Sequence, residues 1–160
     1  MLSITIACVG KVKEAYLRDG LREFGKRLSP YCRLNWIEVT DEATPAEASS
    51  AEEERIRQVE GERLLKALPA QGYRIALAID GRERSSEQLS QHIDSLALSG
   101  NSRLVFVIGG SLGLSQDVLS GCHERLSFSR MTFPHQMMRL LLLEQLYRSF
   151  RISRGEPYHK

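Results

Sequence analysis

The 160-residue chain is 42% hydrophobic, enough apolar mass for one packed core but too little for two, so residues 1–160 are read as a single domain. Lys and Arg outnumber Asp and Glu by only 22 to 20, which excludes a polycation that coats nucleic acid indiscriminately; any nucleic-acid binding must come from local patches. Cys8, Cys32 and Cys122 are odd in number and widely spaced, which fits neither a zinc site nor a disulfide framework and predicts buried thiols in a reducing, cytoplasmic setting.

Leu2 to Val9 is apolar but too short for a membrane span, and it runs directly into Lys11, Lys13 and Glu14; neither a signal peptide nor an anchor is expected. The β-branched run Ser3 to Val9, ending at Gly10, reads as a buried strand closing in a tight turn. From Glu14 to Leu28, Leu17, Leu21, Phe24 and Leu28 recur at helical spacing, while Arg18, Arg22, Lys26 and Arg27 take a solvated basic face and Pro30 stops the pattern. Arg33 to Val39 resembles a second strand. Asp41 to Glu54 is a polar loop entering a helix, with Ser50 and Glu53 at capping-box spacing.

That helix runs to about Leu68 and stops at Pro69, after which Tyr73 to Asp80 reads as a third strand closed by Gly81. Ser85 with Gln88 caps a helix through Leu89, Ile93 and Leu96 to Gly100. Leu104 to Ile108 is five apolar residues in a row, the mark of a central parallel strand covered on both faces. A short helix from Ser115 to Cys122, a strand at Leu126 to Ser129 and a long helix from Pro134 to about Arg151 follow. The class is α/β, with a mostly parallel sheet of five or six strands and helices on both faces.

Three segments could carry chemistry. Gly109, Gly110 and Gly113 follow the most buried strand, where backbone N–H groups can approach a ligand; the same turn is also simply tight geometry. A dinucleotide fold would place its glycines after the first strand, and a P-loop would need a Lys-Ser/Thr pair, which is missing after Gly113. The second segment, Phe128-Ser129-Arg130-Met131-Thr132-Phe133-Pro134-His135, combines two aromatics and a methionine before a helix start. It could enclose an adenine and a methionine-like tail, or supply core residues only.

The third segment is the last helix with the tail beyond it. Met137, Met138, Leu140 to Leu143, Leu146, Tyr147 and Phe150 make this helix apolar around most of its circumference, which predicts a homodimer as its second cover. Glu144 and Arg148 stand at i and i+4, able to pair either as a salt bridge across that interface or as the wall of a site. Arg151, Arg154, Tyr158, His159 and Lys160 make the last ten residues basic and partly aromatic, either a frayed end or a surface for phosphates and an unpaired base.

Phe106-Val107-Ile108-Gly109-Gly110-Ser111-Leu112-Gly113, the Phe128 to His135 loop and the ending Pro157-Tyr158-His159-Lys160 together resemble the ribosomal RNA large subunit methyltransferase H family of the SPOUT superfamily. The likeness covers essentially the whole chain, including Val9-Gly10-Lys11 and Pro30-Tyr31. It implies a C-terminal trefoil knot, a rare exception to unknotted topology. It also implies N3-methylation of a pseudouridine in a stem-loop of 23S rRNA, with S-adenosyl-L-methionine as cofactor, by a homodimer acting on the assembled ribosome without metal or membrane.

Carried over by residue, the resemblance implies cofactor contacts at Leu77, Gly109, Gly113, Phe128, Ser129, Arg130, Met131, Thr132 and Phe133, and a catalytic set of Glu144, Arg148, Tyr158 and His159. N3 of pseudouridine must lose a proton before it can attack, so a general base is expected: His159 on a mobile tail, or Glu144. Arg148 would stabilise the developing charge or hold Glu144 in place. The competing reading is a non-enzymatic α/β module that binds a nucleotide or RNA through the same glycine loop.

Overall fold

The computed structural model describes residues 1–160, and its elements follow the hydrophobic runs in chain order. Strands β1 (Leu2–Val9), β2 (Cys32–Val39), β3 (Tyr73–Glu83), β4 (Arg103–Ile108) and β5 (Glu124–Ser127) form one sheet in the order β2-β1-β4-β3-β5, with every pairing parallel. Helices α1 (Ala15–Leu28), α2 (Ser50–Ala67), α3 (Ser86–Leu98), α4 (Gln116–Ser120) and α5 (His135–Ser153) make the crossovers.

The period-2 alternation of side chains along the buried strands divides the apolar residues between two faces. Ile4, Ile6, Ile75, Leu104 and Phe106 meet α1, α3 and α5 on one face, where Leu142, Leu143 and Leu146 of α5 are fully buried. Ala7, Val9, Val105 and Val107 meet α2 and α4 through Leu64 and Val118 on the other. With β4 at the centre, the loop after Ile108 opens at the middle of the sheet's carboxyl edge, where this class of sheet binds ligands.

Three local expectations are corrected. The capping box of α2 is Ser49 with Glu52, one residue ahead of Ser50 and Glu53. Gly81 does not end β3, which continues to Glu83 through a register shift between Leu77 and Arg82. A Cβ at Gly81 would stand 2.7 Å from the Arg125 carbonyl carbon, so glycine here permits the close approach of β5. The last strand is Glu124–Ser127 rather than Leu126 to Ser129, because the Ser127 hydroxyl turns the chain out of the sheet, lying 3.0 Å from the carbonyl oxygens of both Ile79 and Ser129.

Candidate active site

At the carboxyl ends of β4 and β5 and beside the register shift of β3, the two loops singled out in the sequence enclose a cleft of about 480 Å³, within the usual range for a small-molecule site. Gly113 N–H donates to the Gly110 carbonyl at 3.0 Å, and Gly113 takes φ +84°, the left-handed region that favours glycine. Gly109 packs so closely on this turn that a Cβ would stand 2.5 Å from the Gly113 carbonyl carbon. Opposite, Met131 N–H donates to Ser129 Oγ at 3.0 Å and shapes the 128–133 loop.

Leu77, Gly109, Gly113, Phe128, Ser129, Met131, Thr132 and Phe133 all line the cleft; Arg130 is exposed and lies outside the lining. Ile79, Ser111, His135 and Met138 also line it, and none of these four is among the residues assigned to the cofactor from sequence. Pro134 at the helix start is the signal that could have found two of them, since it sets His135 and Met138 at i, i+3 on one face. Burial, and then the nearby Arg139 cation, push the His135 imidazole below its ordinary value, so it stands neutral in the cleft wall at neutral pH.

Two buried ionisable side chains, Arg139 and Glu60, lie at this end of the sheet. Arg139, 1% exposed, donates through Nη2 to the carbonyls of Val9 (3.1 Å) and Gly10 (2.8 Å) and pairs through Nη1 with Glu38. Glu60, 4% exposed, accepts the Glu42 N–H at Oε2 (3.0 Å), while its Oε1 has no partner and faces the Gly110 position, where a Cβ would stand 2.9 Å away. Burial raises the Glu60 carboxyl above its ordinary range.

Glu144, Arg148, Tyr158 and His159 come together in a second cluster. Arg148 Nη2 lies 2.9 Å from Glu144 Oε2, Tyr158 donates its hydroxyl to the same oxygen at 2.9 Å, and the Arg148 guanidinium stacks 4.8 Å over the Tyr158 ring. Burial, and then the bond to Glu144, push the Tyr158 phenol up, so it remains a donor. Arg148 Nη1 donates to His159 Nδ1 at 3.0 Å, which leaves the ring proton on Nε2 to meet Glu87 at 2.6 Å. Glu156 joins Arg151 (2.6 Å) and Tyr31 (2.9 Å). The tail that the sequence expectation leaves free to move over a bound base here rests on α5, α3 and Tyr31 of the same chain.

None of Glu144, Arg148, Tyr158 and His159 lines the cleft. Glu144 and Arg148 follow Met138 by six and ten residues along α5, about 9 and 15 Å of helix rise. No helix is long and apolar enough to cross a membrane, and no group of three or more His, Cys, Asp or Glu is arranged to hold a metal ion.

The chain matches, over residues 2–159, the family described as "Predicted SPOUT methyltransferase". It is 57% identical to the Ribosomal RNA large subunit methyltransferase H of Clostridioides difficile and 53% identical to that of Clostridium acetobutylicum, in each case over 99% of this chain and 100% of the relative. Among solved structures, a probable methylase family protein from Haemophilus influenzae aligns with TM-score 0.56 at 12% identity, covering 98% of this chain and 70% of that one. A putative methylase family protein from Neisseria gonorrhoeae aligns with TM-score 0.55 at 15% identity, covering 98% and 85%; at such identities the two structures speak for the fold alone. A five-stranded parallel sheet, a glycine-edged cleft at its carboxyl end and a family match spanning nearly every residue agree, and the chain belongs to the SPOUT methyltransferase family.

Proposed function

We propose that this protein is a cytoplasmic 23S rRNA methyltransferase that uses S-adenosyl-L-methionine to methylate N3 of a pseudouridine on the assembled ribosome. The observation that carries the reading is the cleft. Backbone of the 109–113 turn faces apolar side chains from Leu77, Ile108, Leu126, Phe128 and Met138 across a volume suited to a nucleoside with a thioether tail. The glycine-rich wall and the hydroxyls of Ser111, Ser129 and Thr132 fit such a cofactor, with backbone and hydroxyl groups for its polar edges and methionine and phenylalanine for its rings and chain. Full-length relatives bearing the rRNA methyltransferase name support the choice of substrate.

The cofactor supplies an electrophilic methyl on a cationic sulfur; the protein's task is alignment, exclusion of water and removal of the N3 proton. In this reading Phe128, Met131 and Phe133 shield the cleft and neutral His135 offers a hydrogen bond rather than a charge. His159 takes the N3 proton at Nδ1, the atom that now accepts from Arg148, and the released Arg148 faces the developing anion. Glu144 keeps Arg148 and Tyr158 aligned, which favours His159 over Glu144 as base.

Because the tail cluster and the cleft of one protomer lie apart, we take the acting form to be a homodimer with a cleft and a cluster from different subunits facing each other. Met137, Leu140 and Leu141 leave apolar surface on α5 for that interface. Family membership also implies the C-terminal trefoil knot, and we take residues 1–160 as a single domain of that type. The test is methylation by mixed dimers of Gly109→Ala and His159→Ala subunits, at a cofactor concentration low enough that the Gly109→Ala homodimer is inactive. Recovery toward one-quarter to one-half of wild-type activity supports shared sites; none, with each variant folded and the wild type active, refutes them.

A further inference from the structure

A groove of about 510 Å³ follows the free edge of the sheet between β2 and α1, two strands away from the strand that opens the cofactor cleft. Trp36, the single tryptophan of the chain, sits on this edge strand with 39% of its surface exposed. Around it stand Lys11, Arg18 and Arg22. Arg18 donates through Nη1 to the carbonyls of Lys13 (2.7 Å) and Val12 (3.3 Å), which fixes the guanidinium in place while it pairs with no carboxylate. Arg22 reaches Asp19 at 3.2 Å, an exposed i,i+3 pair that holds it weakly.

Glu38, the one carboxylate lining the groove, is bound to buried Arg139. Three cations thus surround an exposed aromatic ring with no free carboxylate among them, on a chain whose formal net charge is only +2. Basic groups that track a backbone beside an aromatic platform that accepts a base are the features by which proteins hold single-stranded nucleic acid. Trp36 lies level with Ile6 and Phe106 in the sheet register, two residues before β4 ends at Ile108 and the cleft begins, and two strand spacings separate β2 from β4, about 10 Å. A strand with its target base in the cleft therefore has neighbouring nucleotides within reach of the groove.

We propose that this groove binds the single-stranded rRNA next to the methylated base, with phosphates on Lys11, Arg18 and Arg22 and one base stacked on Trp36. The assignment rests on the rRNA reading above and names a surface for it. A protein partner with acidic side chains would meet the cations but leave the aromatic platform without its flat counterpart.

The lone tryptophan reports on its own site. Titrating the intact protein with a ten-nucleotide single-stranded RNA should quench Trp36 fluorescence saturably and protect it from acrylamide. Trp36→Ala should weaken binding of a labelled RNA about ten- to hundredfold. Arg18→Gln and Arg22→Gln should each lower the slope of log affinity against log salt by about 0.7. On ribosomes these variants should raise KM while kcat and S-adenosylmethionine affinity hold. Unchanged fluorescence and acrylamide access on adding RNA to the wild type, or equal quenching by polyglutamate, overturns the proposal, and neither result depends on a variant folding. A wild type that binds this RNA but neither binds S-adenosylmethionine nor methylates rRNA would instead overturn the enzymatic reading and leave the groove standing.

Discussion

Replacing Gly109 by alanine isolates the glycine turn from everything else in the cleft. The new methyl would meet the Gly113 carbonyl carbon at 2.5 Å, its oxygen at 2.7 Å and Leu114 N at 2.9 Å, all backbone atoms that no rotamer change can move. Ordinary contact begins at 3.4 Å, so the 109–113 turn must open by about 0.9 Å. Overpacking of this kind costs about 1–3 kcal/mol. Because the turn is itself the cleft wall, much of that cost falls on the bound state. S-adenosylmethionine affinity measured by calorimetry should drop about five- to hundredfold, with the melting temperature falling by about 2–8 °C. Gly113→Ala is the matched control, since its Cβ would meet nothing within 4 Å and only the φ of +84° is strained, at about 1 kcal/mol. Wild-type cofactor affinity in folded Gly109→Ala would refute the placement of the cofactor against this turn.

The other predictions concern the buried charges, the tail and the thiols. The Glu60 carboxyl is raised in the folded state, so its contribution is present below the unfolded value and lost as pH rises through the folded one; Glu60→Gln should therefore flatten the dependence of melting temperature on pH and gain on the wild type above about pH 5. Equal pH profiles in thermal melts would argue against the raised value. Arg139→Met removes the guanidinium donor from the Val9 and Gly10 carbonyls and the partner from Glu38, and denaturant unfolding should register a loss of about 2–4 kcal/mol. Tyr158→Phe and His159→Ala should abolish or sharply reduce methyl transfer with calorimetric cofactor affinity intact, and a wild-type rate in His159→Ala would remove it as the base. Cys8 and Cys32 are buried with thiols pushed up to about 11, whereas Cys122 is only partly buried; alkylation at pH 8 should mark Cys122 first, as peptide mass mapping would read out.

The architecture was legible because the apolar runs are long and punctuated. Leu104 to Ile108 identified the central strand, and Ser85 with Gln88 identified a true capping box. The α2 cap was misplaced by one because Ser49-Ser50 and Glu52-Glu53 are doubled, so two pairs satisfy the same spacing and only backbone geometry distinguishes them. Gly81 misled for a related reason: glycine punctuates turns, but here it admits a neighbouring strand.

Within the site, the glycine turn and the 128–133 loop stood out as local sequence, while the groups that brace them did not. Arg139 lies inside an apolar helix and finds its partners 101 to 130 residues away in the chain. Glu60 is one of many charges on α2, and only the packing of that helix under Gly110 gives it meaning. The docking of Tyr158 and His159 onto Glu144, Arg148 and Glu87 depends on where the chain turns after Gly155, at φ +64°. Spacing constrains such long-range contacts very little.

The central claim is tested most directly by supplying the purified protein with S-adenosylmethionine carrying a labelled methyl group and ribosomes from cells lacking the gene, then analysing the nucleosides of 23S rRNA by mass spectrometry. The account predicts labelled 3-methylpseudouridine, formed on assembled ribosomes and absent with the His159→Ala protein. Label at another nucleoside, or none in 23S rRNA while the protein binds the cofactor, would contradict it.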